Sequence, residues 1–147
     1  MSRRQVNAKG RRERGSFITL SKTVINGPEF ARLSPYAVKL FIDLYGQFNG
    51  RNNGNRCASW TLMHARGWRS KATLHRAIME LRDKGWTVVS RQGGRNKASL
   101  YALTCLPVNE CGGKLDIAET VAPLGTWRNN GFCTSYVNQV GTPTVPN

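Results

Sequence analysis

Residues 59–104 read as five consecutive pieces: SWTLMHARG, WRSKATLHRAIMELRDKG, WTVVSR, QGGRNK and ASLYALT. Their order restricts the fold more than any other feature of the chain. The first piece is a two-turn helix with Ser59 at its start and Gly67 as its stop. Three residues later Ser70 is placed to cap a longer helix. Leu74, Ala77, Ile78 and Leu81 recur in that helix at i, i+3, i+4 and i+7, which is one helix face. Gly85 ends it. Two runs rich in strand-forming residues then flank a glycine-containing turn, the pattern of a β-hairpin.

The preceding residues supply something to pack against. In LSPYAVKLFIDLYGQFNG, Ser34 suits the N-cap and Pro35 the first helical position. Ala37, Leu40, Phe41, Leu44, Tyr45 and Phe48 share one face, and Val38 and Ile42 are expected to widen it. This is a core helix. Arg56–Ala58 suits a very short strand. FITL at 17–20 is expected as another, and the segment from Ser21 as a short helix leading to a turn at Gly27-Pro28. The expected class is mainly α with a β-hairpin.

Residues 34–104 resemble a winged helix-turn-helix DNA-binding domain. The third-helix pattern that carries the resemblance is Ser70, Thr73, Arg76, Ala77, Ile78, Leu81, Lys84, Gly85 and Trp86. The wider layout, with F-I-T-L, L-S-P-Y-A and N-G-R-N-N-G, resembles small winged-helix proteins of bacterial mobile elements and prophages. The resemblance implies sequence-specific binding of double-stranded DNA, for transcription regulation or replication control; a cytoplasmic protein is expected from the lack of a membrane-length apolar run and of an apolar stretch behind the N-terminal arginines. It covers about half of the chain.

Charge points the same way. The chain carries a formal +14 over 147 residues, and a polyanionic partner follows from such an excess. The excess is uneven: residues 1–16 hold +5 and residues 56–104 hold +8. A helix starting with Arg69, Ser70 and Lys71 is odd in isolation, because the positive end of its dipole lies there. Beside a phosphate backbone the same cluster becomes favourable. Arg69 and Lys71 are therefore expected on phosphates, with Ser70 in the same DNA-binding set. Thr73, His75 and Arg76, off the apolar stripe, are expected at base edges, Arg76 as a bidentate partner of guanine. Arg91, Arg95 and Lys97 would lie on the wing, along a phosphate backbone or a narrow minor groove. The arm of residues 1–16, with Arg3, Arg4, Arg11 and Arg12, is too polar to fold alone and is expected to add non-specific affinity. The alternative readings of this surface are a protein-interaction module built on a winged helix, and RNA binding.

The domain is expected at 17–104, with an irregular or partly disordered tail at 105–147. Trp60, Trp68 and Trp86 fit core positions, whereas Trp127 lies in the tail, which is a candidate surface for a protein partner through Leu124, Trp127 and Phe132. A homodimer on DNA is one expectation, with residues 17–33 or the tail as candidate interfaces, since no long heptad helix is present. Cys57, Cys105, Cys111 and Cys133 form no C-x-x-C pair, and Cys57 and His64 match no common zinc spacing, so reduced thiols and no metal are expected. His64 reads as a surface or core-edge residue. No nucleophile motif, P-loop or paired acid stands out, so neither an enzyme nor a cofactor is expected. No apolar run reaches membrane length.

Overall fold

The computed structural model describes residues 16–129. The arm residues Arg3, Arg4, Arg11 and Arg12, and the tail residues Phe132 and Cys133, lie outside the described residues. The elements run α1 Lys22–Ile25, α2 Pro28–Ala31, α3 Pro35–Tyr45, β1 Arg56–Cys57, α4 Trp60–Ala65, α5 Lys71–Asp83, β2 Thr87–Arg91 and β3 Leu100–Leu103. Two 3-10 turns follow, at Cys111–Gly113 and Thr126–Asn129. The three strands form an antiparallel sheet in the order β1-β3-β2. Among the described residues no helix is long and apolar enough to cross a membrane.

Helix α3 starts where Ser34 and Pro35 require. The Ser34 hydroxyl accepts from the Ala37 N–H at 3.2 Å, which satisfies one of the first-turn donors. Its Ala37, Leu40, Phe41, Leu44 and Tyr45 are buried. Ile42 is not part of that face: it is 39% exposed, and its neighbour Asp43 is buried instead. Helix α5 is capped in the same way, with Ser70 Oγ accepting from Thr73 N–H at 3.2 Å. Leu74, Ala77 and Leu81 are buried and Ile78 half-buried, packed into a common core with α3. Ser21 and Ser59 occupy N-cap positions, but neither makes a side-chain capping bond.

The N-terminal expectations need correction. Residues 17–20 form no strand. Tyr45 Oη donates to the Thr19 carbonyl at 2.8 Å, and Leu20 packs on the core, so side-chain contacts hold this stretch without a strand partner. Beyond the Gly27-Pro28 turn a second single-turn helix forms, with Pro28 at its first position.

Residues 105–129 are irregular in secondary structure and yet packed. Asn53, fully buried, donates its Nδ2 to the carbonyls of Leu103, Leu106 and Pro107 at 2.8–3.0 Å and accepts from Leu103 N–H at 2.8 Å. That one amide turns the chain as it leaves β3. Val108, Leu115 and Ile117 then cover Val88 and Ala102 of the sheet. The chain returns so that Trp127, 5% exposed, stacks on Trp86 with ring centroids 4.8 Å apart. Trp86 also meets Phe30 and Phe41 edge-on, at 5.6 and 5.5 Å. Trp127 is thus a core residue, contrary to the expectation of a weakly structured site. Gly85 permits this approach: its φ is +78°, and a Cβ there would lie 2.6 Å from the Thr126 carbonyl oxygen.

One buried cation has no carboxylate beside it among the described residues. Arg56 is fully buried, with its guanidinium 4.7 Å from the Phe48 ring centroid and Nη1 donating to the Leu44 carbonyl at 3.3 Å. Burial draws its pKa down to about 10.

Candidate nucleic-acid interface

Two carboxylates fix α5 and the turn before it against α3. Glu80, on α5, accepts from both Ser34 N–H, at 2.9 Å, and the Ser34 hydroxyl, so the capping residue of α3 is itself held by α5. Lys84 Nζ donates to Glu80 Oε1 at 2.9 Å and to the Arg32 carbonyl at 2.8 Å. Burial alone would raise the Glu80 pKa, but the bonds from Ser34 and Lys84 outweigh it and hold the carboxyl below its ordinary value.

Asp43 does the same for the α4–α5 turn. Its Oδ1 accepts from Arg66 Nε and Nη2 at 3.1 and 3.0 Å, and its Oδ2 from Trp68 Nε1 at 2.8 Å and Lys39 Nζ at 3.0 Å. Lys39 Nζ also donates to the Arg66 carbonyl at 2.9 Å. Burial pushes the Asp43 pKa up, and the bonds from Trp68, Lys39 and Arg66 more than reverse that, so the group stays ionised below the usual carboxylate range. Gly67, at φ +94°, allows the chain to turn between these anchors.

The outer surface of α5 is then determined by helical spacing. With Leu74, Ala77 and Leu81 inward, His75, Arg76 and Met79 are exposed, as are Arg69, Ser70 and Lys71 at its start. No acidic residue lies in the first turn. Thr73 is half-buried, and the Ser70 hydroxyl is committed to its capping bond. Lys71 Nζ lies 5.7 Å from the Trp60 ring centroid, a cation–π distance. His64 sits beside the same ring, at 5.1 Å between centroids, with Nδ1 3.1 Å from the Trp68 carbonyl oxygen.

In the hairpin, Arg95 and Lys97 are exposed, and a bridge between Gly94 and Lys97 closes the tip. Arg91, the last residue of β2, is placed differently. It is half-buried and donates from Nη2 to the Ala98 carbonyl at 3.1 Å, bracing the hairpin from within. The hairpin is also tied to the segment after β3. Gln92 N–H donates to Asp116 Oδ2 at 2.9 Å, and a bulge between Val89 and Arg91 turns the buried Ser90 towards the Gly54 carbonyl.

Sequence reasoning missed Asp43, Glu80, Lys39 and Arg66. A lone acid inside an apolar helix, with Lys39 four residues before it, was the available signal for Asp43. Its other partners are 23 and 25 residues away, beyond the reach of any local pattern. Among the described residues no three His, Cys, Asp or Glu side chains come together as a metal site. The Cys57, Cys105 and Cys111 thiols are free, and burial pushes Cys105 up to about 11. No family model, curated protein or solved structure matches this chain.

Proposed function

We propose that this chain is a winged-helix protein that binds double-stranded DNA sequence-specifically, with α5 as the recognition helix and residues 91–97 as the wing. Transcription regulation or replication control on a bacterial mobile element or phage is the role that fits a small basic binder of this kind. The observation that carries the reading is the exposed basic face of α5, free of acid in its first turn and held at its base by two carboxylates. A helix held this firmly loses little further entropy on entering a major groove. Arg69 and Lys71 meet phosphates at its N-terminus, where the dipole adds to their attraction. Arg76 presents a planar fork suited to guanine O6 and N7. Arg95 and Lys97 follow a flanking backbone, while Arg91 contributes by holding the hairpin's shape.

The test sets Arg76→Ala against Lys97→Ala on a selected site and on a scrambled duplex, each across a salt series. Arg76→Ala is expected to cost roughly 1–3 kcal/mol on the selected site and less on the scrambled one. Lys97→Ala is expected to weaken both about equally and to lower the salt slope by about one. Folded variants that both bound like the parent would remove groove docking. A protein-interaction module would then become the better reading. Preference for duplex RNA would point to RNA, whose deep, narrow major groove does not admit a recognition helix.

A further inference from the structure

Trp68 lies at the end of the α4–α5 turn, 3% exposed, and basic and aromatic groups from α3 and the turn converge on it. The exposed Tyr36 ring lies 6.1 Å from it, and Lys39 Nζ is 5.5 Å from its ring centroid. Arg66 sits just before it in sequence and shares Asp43 with its indole N–H. Arg69, exposed, comes next and directly precedes the cap of α5.

We propose that Tyr36, Lys39 and Arg66 form a second, pre-organised phosphate-binding edge beside the start of α5, which sets the position of the duplex without reading its sequence. The proposal rests on the DNA-binding reading above. Its first support is charge. One carboxylate, Asp43, stands against two cations, and it is 5% exposed while Lys39 and Arg66 are 40% and 52% exposed. The negative charge is inside and the positive charges face out. Its second support is the donor count. Arg66 uses Nε and Nη2 on Asp43, which leaves Nη1 without a partner among the described residues. Lys39 uses two of its three donors, on Asp43 and the Arg66 carbonyl. Both retain donors for a phosphate oxygen while their heads are already held in place. The rotamer entropy that a free surface lysine or arginine loses on binding is therefore largely lost beforehand. An ordinary solvated i,i+4 pair would explain Lys39 with Asp43 alone. It would not explain why the same ammonium also caps the carbonyl of the residue whose guanidinium shares that carboxylate.

The experiment uses the full chain, with duplex affinity measured across a salt series on a selected site and a scrambled duplex. Lys39→Gln and Arg66→Gln are each expected to lower the slope by about one on both duplexes, leaving the ratio of affinities unchanged. Lys39→Arg should keep the parent's slope. Tyr36→Phe should weaken both duplexes a few-fold with the slope unchanged, since the hydroxyl is neutral. Asp43→Asn loosens the same network and removes no cation, so it should not lower the slope. A purely structural role would change the melting temperature and affinity but not the slope. Folded Lys39→Gln and Arg66→Gln variants with the parent's slope would overturn the proposal and leave groove docking standing. A parent chain that bound no duplex would overturn both.

Discussion

At the scale of single residues, Asp43 is the acid with the most at stake. It is 5% exposed and accepts four hydrogen bonds from three side chains. Breaking a fully enclosed pair costs about 3–5 kcal/mol. Lys39 and Arg66 are partly solvated and can rehydrate, so Asp43→Asn is expected to cost less, about 2 kcal/mol. The dependence on pH has a definite sign. The folded carboxyl titrates below its ordinary value, so the unfolded chain binds the proton more readily. The stabilisation is complete above the ordinary carboxylate range, near pH 4, and is lost as pH falls through the lower folded value. Melting temperatures of parent and variant measured from neutral pH downwards should therefore converge in acid. A gap that stayed constant to the lowest pH would show that the charge of Asp43 contributes nothing.

At the scale of elements, α3 and α5 were legible because each signals itself locally, through a serine cap and a 3.6-residue apolar period. The lack of a strand at 17–20 was not, because a strand exists only where another strand pairs with it, and none of the described strands does. Glycine separates the local from the non-local most sharply. Gly67 and Gly85 both have positive φ, at +94° and +78°. A Cβ on Gly67 would meet nothing within 4 Å, whereas one on Gly85 would lie 2.6 and 2.8 Å from backbone atoms of Thr126. Gly67→Ala is expected to cost only the left-handed conformation, about 1–2 kcal/mol. Gly85→Ala should cost clearly more, because the chain at Thr126 must move and the stacking of Trp127 on Trp86 with it. Urea unfolding gives the two costs, and tryptophan emission reports the lost stacking. Equal costs with unchanged emission would rule out the close approach as a constraint.

At the scale of the whole molecule, core packing continues past Thr104. Val108 and Trp127 are 1% and 5% exposed, and Leu115 and Ile117 pack on the same sheet face as Val108. Fully burying one such side chain contributes about 1.5–3 kcal/mol. Losing Val108 and Trp127 alone would remove about 3–6 kcal/mol, a large part of the roughly 5–15 kcal/mol that stabilises a domain. A chain ending at Thr104 is therefore expected to lose the cooperative folding of the longer, full chain. Urea unfolding of both, followed by circular dichroism, decides this. A chain of residues 1–104 with the midpoint of the longer one would make the later segment an accessory.

The sequence by itself determined the order of helices, turn and hairpin from Ser34 to Thr104, the capping serines Ser34 and Ser70, the stop glycines Gly67 and Gly85, and the exposed cations of α5. Each of these follows from interactions between residues a few positions apart. Tertiary structure alone decided that Asp43 fixes the α4–α5 turn and Glu80 anchors α5, that Arg91 donates across the hairpin to Ala98, and that Trp127 completes the core. Those outcomes depend on partners as far as 46 residues away, as for Ser34 and Glu80, and only chain folding brings such groups within hydrogen-bonding range. A buried carboxylate or indole is stable only where every partner arrives together, and nothing in the neighbouring residues records that arrival.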